Sequence, residues 1–164
     1  MGSQILKYFF QLQNFKHMKK VALPIRYGIA ISGSLIAFFL ILSLFGLHTN
    51  PAFSLFNCVI TAFGIYEAIK TYKLKEGTKF NYTNGFTTGI VTGFVATIIF
   101  TFFFTFYSTE INTGFLVKLL EVFKGDYHVS IGLVAFTVAI MGFATTVVLT
   151  LAFMQLFKGS RNMF

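Results

Sequence analysis

Four long apolar stretches decide what this chain can fold into. They cover residues 27–47, 52–69, 85–107 and 129–157, and Glu67 is the only charged residue within them. A helix of roughly 20 apolar residues spans the hydrocarbon layer of a bilayer, which is about 30 Å thick. The stretches lack the alternation of apolar and polar residues that is typical of membrane barrel strands. The sequence therefore predicts an all-α, polytopic membrane protein with four transmembrane helices.

The composition supports a membrane environment for the whole chain. Only 11% of the 164 residues are charged, while 55% are hydrophobic. A soluble domain of this size carries about 25% charged residues, so the polar residues here are too few to cover a water-exposed surface. Because we see no fixed repeat and no low-complexity linker, we predict a single four-helix transmembrane domain over residues 1–164.

The basic residues are distributed unevenly between the loops. Of the 13 Lys and Arg, only Lys118 and Lys124 lie between the third and fourth stretches. The positive-inside rule then predicts that both termini are cytoplasmic. Since topology already explains the net charge of +8, we expect no nucleic-acid partner. We expect contacts with anionic head groups of the inner leaflet from six residues: Lys16, Lys19, Lys20, Arg26, Lys73 and Lys75.

Two further segments are predicted to form short amphipathic helices. Within residues 3–20, Ile5, Phe9 and Leu12 recur at helical spacing, which indicates either a helix lying on the inner leaflet or an extension of the first span. Residues 114–124 carry a similar pattern in the loop between the third and fourth stretches. That helix would lie on the outer leaflet or cap the bundle.

Small residues recur every four positions in the third stretch. The row consists of Gly85, Gly89, Gly93, Thr97 and Thr101. Such spacing is typical of close contact between transmembrane helices. It favours packing within the chain, and homodimerisation or docking to another membrane protein remains an alternative. The fourth stretch carries a weaker row of the same kind, made of Gly142, Thr146 and Thr150.

Glu67 is the acidic residue that falls inside an apolar stretch, and it lies three positions before Lys70. An ionisable group within a membrane span is a candidate ion or proton site. Because Glu67 lies near the end of its stretch, an interfacial ion pair with Lys70 explains it without any transport function, and this is the favoured interpretation. The chain has no catalytic motif such as His-Glu-x-x-His or Gly-x-Ser-x-Gly. We therefore expect a non-enzymatic protein without cofactor or metal.

Several short motifs together resemble one known family. They are Tyr27-Gly28-Ile29, Ala68-Ile69-Lys70-Thr71-Tyr72-Lys73, Phe80-Asn81-Tyr82-Thr83-Asn84-Gly85-Phe86 and Phe157-Lys158-Gly159. In this order they are similar to small inner-membrane proteins of Bacteroidota called domain of unknown function 4199. The resemblance implies four helices in a bacterial inner membrane, and it implies no activity and no functional residue. The loop before the fourth stretch departs from the family pattern.

The sequence leads to three hypotheses about function. The first is an accessory subunit that packs against another membrane protein or a second copy. The second is a small transporter or channel that uses Glu67 and the threonine-rich face of the third span. The third is a membrane-surface sensor that uses the basic N-terminal helix.

Overall fold

A computed structural model describes the backbone of residues 2–47, 51–111, 114–115 and 130–157. Side chains are described for residues 4, 22–47, 53, 55–111, 114–115 and 130–157. Four long helices make up most of this part: α1 (Gly2–Leu44), α2 (Pro51–Glu76), α3 (Tyr82–Phe106) and α4 (Ile131–Phe157). Every regular element within the described ranges is helical, which confirms the predicted all-α class.

Helix α1 is continuous through the predicted boundary between the N-terminal helix and the first span. It comprises 43 residues and contains Pro24. Residues 3–20 thus continue into the first span without a break in the helix, and their position relative to the inner leaflet stays a prediction. Pro24 has no backbone N–H, so it leaves the carbonyl one turn earlier without its usual helical donor.

Three helical segments are long and apolar enough to cross a membrane, within the part of the chain that the structure describes. They are Ala22–Leu44, Tyr82–Ile111 and Ile131–Phe157. The predicted second span, residues 52–69, forms most of α2, whose 26 residues correspond to about 39 Å of helix. Its crossing of the membrane stays a prediction.

Helix α3 lies at the centre of the bundle and contacts each of the other three helices. Helices α1 and α2 are antiparallel, since the Tyr27 hydroxyl lies 2.8 Å from that of Thr71 and Phe38 contacts Phe56. Helices α1 and α3 run in the same direction. This up-down-up-down order places the end of α4 beside the end of α2, where Lys73 approaches Phe157.

Two clusters of buried side chains form the core. The first joins all four helices and is centred on Ile31, Leu35, Ile65, Ile69, Ala96 and Met154. The second lies nearer the other end of the bundle and is aromatic, and we call Phe39, Phe104, Tyr107 and Phe115 the aromatic cluster. A π-helical turn over Tyr107–Ile111 follows α3, and the Tyr107 hydroxyl hydrogen-bonds Ser43 of α1.

Phe115 is the part of the predicted second amphipathic helix, residues 114–124, that can be described in detail. Its side chain is buried at 1% exposure and its ring contacts Phe39 and Tyr107 edge-on. The start of this segment therefore packs into the end of the bundle. Residues 116–124 lie outside the described residues, so the remainder of that helix stays a prediction.

Helix α2 ends just before a glycine with a positive φ angle. Gly77 has φ of +53°, a left-handed conformation that glycine adopts without the steric penalty of a Cβ. A single 3-10 turn over Gly77–Lys79 follows. Asn81 then caps α3, because its side-chain oxygen accepts a hydrogen bond from the Thr83 N–H at 3.2 Å.

Candidate functional site

The glycines predicted as packing residues face helix α4. A Cβ added to Gly89 would lie 2.5 Å from Cγ2 of Thr150. One added to Gly93 would overlap the side chain of Thr146. Since carbon atoms pack at about 3.5–4.0 Å, both positions hold the two helices closer than any residue with a Cβ allows.

The same contact is reversed one turn further along. Here the glycine belongs to α4, and a Cβ added to Gly142 would lie 2.5 Å from Cγ2 of Thr97. Three rungs, each pairing a glycine with a threonine, thus join antiparallel α3 and α4. We call these six residues the Gly–Thr seam. The sequence contained both rows but did not show that they face each other.

The remaining two residues of the predicted row lie beyond the ends of the seam. Gly85 faces the ring of Phe80, 2.7 Å from the place of its missing Cβ, and the Met154 methyl at 3.0 Å. Thr101 is half-buried, and its hydroxyl has no hydrogen-bond partner among the described residues. Its carbonyl accepts a hydrogen bond from the Thr105 hydroxyl. Four of the five residues of the row, all except Thr101, are therefore shown in contact with another segment of the same chain.

Two further close contacts bring α1 against its neighbours. A Cβ on Gly28 would lie 2.7 Å from Cβ of Val95 in α3, and one on Gly64 would overlap Ile31 of α1. The sequence signal for Gly28 was its small partner Ser32 four residues later. Gly64 was not identified from the sequence, although Ala68 four residues later forms the same kind of small pair.

Gly33 differs from these packed glycines. No described neighbouring atom lies within 4 Å of the Cβ position of Gly33. Ala30, Ser34 and Ala37 are exposed beside it, and we call these four residues the α1 small-residue face. The Ser34 hydroxyl donates to the Ala30 carbonyl at 3.0 Å, so the face offers no free hydroxyl proton. It is an exposed patch of small residues on a helix whose other exposed residues include large apolar side chains such as Ile29 and Ile41.

Glu67 and Lys70 form an ion pair on the outside of α2. The Lys70 ammonium lies 3.1 Å from the Glu67 carboxylate, and their side chains are 45% and 29% exposed. The hydrogen bond to Glu67 raises the pKa of Lys70 above its ordinary value. The two residues are thus brought together as the spacing predicted. Their exposure makes the pair weak as a source of stability.

The predicted head-group residues occupy different environments. Arg26 and Lys75 are exposed. Lys73 instead reaches across to α4, where its ammonium donates to the Phe157 carbonyl at 3.4 Å and lies 5.3 Å from the centre of the Phe157 ring. A cation at the last carbonyls of a helix is favoured by the helix dipole. The predicted contacts of Lys16, Lys19 and Lys20 fall on side chains outside the described residues.

The comparisons with known proteins give one family. A family model described as "Protein of unknown function (DUF4199)" matches residues 26–158. The matched region contains α2, α3, α4 and the apolar part of α1. No curated protein and no solved structure matches the chain.

Proposed function

Since the chain belongs to the DUF4199 family of proteins of unknown function, we propose a function from the geometry of its own helices: it is a non-enzymatic accessory subunit of a membrane protein assembly. It resides in a bacterial inner membrane as a bundle of four spans with both termini in the cytoplasm. The up-down order of the helices and the positive-inside pattern of the loops support this topology. The partner is a transmembrane helix of another membrane protein.

The observation that carries this proposal is the open α1 small-residue face. The seam glycines, Gly28 and Gly64 are all filled by neighbouring helices of the same chain, whereas Gly33 is not. A glycine in the middle of a helix costs roughly 0.5–1 kcal/mol relative to alanine. Within the described fold, no packing contact at Gly33 offsets this cost. Small residues spaced by three and four positions allow a second helix to approach closely within a membrane.

The test compares two open glycines of the same chain. Gly33→Leu fills the α1 small-residue face, whereas Gly132→Leu fills an exposed position on α4 whose nearest described side-chain atom is 4.0 Å away. Both proteins are purified in mild detergent, and the mass of the intact complex is measured without crosslinking. We expect Gly132→Leu to keep the stoichiometric partner of the wild type and Gly33→Leu to lose it.

Two outcomes contradict the proposal. A wild-type chain that is monomeric and alone has no partner, and equal retention by both variants places the contact elsewhere. A complex of two identical chains that only Gly33→Leu dissociates would instead make the protein a homodimer. Thermal unfolding in the same detergent shows whether both variants remain folded.

The other two hypotheses receive less support from the described residues. Glu67 is already paired with Lys70. The hydroxyls of Thr87 and Thr105 donate to carbonyls one turn earlier in α3, whereas those of Thr92 and Thr101 have no hydrogen-bond partner among the described residues. A transport path needs polar groups that are open to solute, and the hydroxyl oxygens of Thr92 and Thr101 are buried. A sensor function rests on residues 3–20, whose side chains lie outside the described part apart from Gln4.

A further inference from the structure

A cleft of about 970 Å³ opens between α1 and α2 at the end of the bundle where α4 also ends. Its basic lining residues are Arg26 from α1, Lys75 from α2 and Lys79 from the following turn. We call it the basic cleft. Its position is set by the sequence, because Arg26 immediately precedes the first apolar stretch and Lys75 follows the second.

The cations of the basic cleft outnumber its anions. Glu76 is the carboxylate that lines it, against three basic side chains. Among the described residues, none of these three cations lies within 4 Å of a carboxylate, since the ion pair found there is Lys70–Glu67. The cleft therefore carries unpaired positive charge.

The inner wall of the cleft is formed by alanine side chains, tyrosine rings and a pair of hydrogen-bonded hydroxyls. The Tyr27 and Thr71 hydroxyls hydrogen-bond each other at 2.8 Å across it. Tyr72 is buried beside them, and burial raises the pKa of its hydroxyl. Ala22 and Ala30 line the α1 side, and their small side chains leave room beside the helix. The cleft thus combines a cationic rim with an apolar wall that continues towards the membrane core.

The third cation of the cleft lies in the turn after α2. Lys79 follows Lys75 by four residues, so a straight continuation of α2 would place it about 6 Å further along the same helix face. The left-handed conformation of Gly77 ends the helix instead, and Lys79 lines the cleft with residues of the preceding turn.

We propose that the basic cleft binds the phosphodiester head group of an anionic phospholipid. The planar guanidinium of Arg26 offers two parallel N–H donors to phosphate oxygens, and Lys75 and Lys79 add charge at the rim. The lipid glycerol and the start of one acyl chain lie along the alanine wall. A lipid is the ligand, and not a soluble phosphate, because the cleft lies at the junction of the basic flanks and the apolar helices, where head groups are located.

The test measures binding of phosphatidylglycerol to the full, delipidated chain in detergent, with phosphatidylcholine as the uncharged reference. We compare wild type with Arg26→Gln, Lys79→Gln and Lys70→Gln. Lys70→Gln is the matched control, because it removes one positive charge from the same end of the bundle but outside the cleft. We expect affinity for phosphatidylglycerol to fall about fivefold for Lys79→Gln and at least tenfold for Arg26→Gln, with little change for Lys70→Gln.

Three results overturn this inference. They are equal affinity for the two lipids, equal losses in the cleft and control variants, and displacement of phosphatidylglycerol by millimolar inorganic phosphate, which would make the site one for a soluble anion. Lys79 is exposed, so Lys79→Gln keeps the test valid if Arg26→Gln fails to fold. Ala30 belongs to both the basic cleft and the α1 small-residue face, but lipid binding and the accessory role are tested separately, because Gly33→Leu changes no residue that lines the cleft.

Discussion

Gly142→Ala tests the Gly–Thr seam with the smallest available change. The added methyl would meet only Thr97 among its three nearest atoms, at 2.5 Å from Cγ2, 2.8 Å from Oγ1 and 3.3 Å from Cβ. Contacts between carbon atoms are most favourable near 3.5–4.0 Å. The two helices would therefore have to separate locally by about 1 Å to admit it.

The magnitude follows from two opposing effects. Overpacking a tight contact costs about 1–3 kcal/mol. Replacing a helical glycine by alanine returns at most about 1 kcal/mol of backbone entropy and helix propensity. We expect Gly142→Ala to lower the free energy of unfolding by about 1 kcal/mol. In the Thr97→Ala background, Oγ1 and Cγ2 are gone, so the same substitution should become neutral or stabilising.

The assay is reversible unfolding in mixed micelles, followed by the loss of helical signal, for the wild type, both single variants and the double variant. Residues that touch each other typically show coupling energies of about 0.5–3 kcal/mol in such cycles. Gly132→Ala is the control on the same helix, because its Cβ position has no described neighbour closer than 4.0 Å. It should cause no loss of stability.

The reasoning fails if Gly142→Ala is as stable as Gly132→Ala. It also fails if the effect of Gly142→Ala is the same with and without Thr97→Ala. Either result would mean that the helices do not meet at this rung, and the seam would then have to be assigned to contacts with another chain.

Two further changes test the ends of the bundle. Phe39→Ala should lower the free energy of unfolding by about 3–5 kcal/mol in the same assay, because the ring is surrounded by other aromatic rings and its removal leaves a cavity. Lys73→Met should cost about 0.5–1 kcal/mol, since it removes the cation at the last carbonyls of α4 while keeping an unbranched side chain.

Each of these changes has a control at an exposed position. Phe136→Ala removes an equal ring from the exposed side of α4 and should have a much smaller effect than Phe39→Ala. Lys75→Met removes a neighbouring cation that has no hydrogen bond to α4 among those described, and it should leave the unfolding midpoint nearly unchanged. Equal effects within either pair would contradict the assigned contact.

Much of the fold could be predicted because membrane spans are defined by local composition. Three of the four predicted stretches correspond to described helices that are long and apolar enough to span a bilayer, with boundaries that move by a few residues. Helix α1 itself begins at Gly2 and contains Pro24, so no helix start marks the predicted boundary at residue 27. The ion pair of Glu67 and Lys70 was also predictable, since residues three positions apart share a helix face.

The pairing of helix faces could not be predicted in the same way. The row of Gly89, Gly93 and Thr97 winds around α3, and its spacing alone fits an internal neighbour or a second protein equally well. Only the antiparallel register of α3 and α4 shows that each rung places a glycine opposite a threonine. The contact of Lys73 with Phe157 likewise joins residues far apart in sequence.

The sequence by itself thus predicted the long apolar helices of this protein, because each apolar stretch carries its own signal within about 20 residues. The tertiary structure decided which small residues are used internally and which are left open. It closed the face of α3 against α4 and left Gly33 on α1 uncovered within the described fold. The reason is physical: close packing depends on the relative rotation and register of two helices, and neither quantity is encoded in the composition of one helix alone.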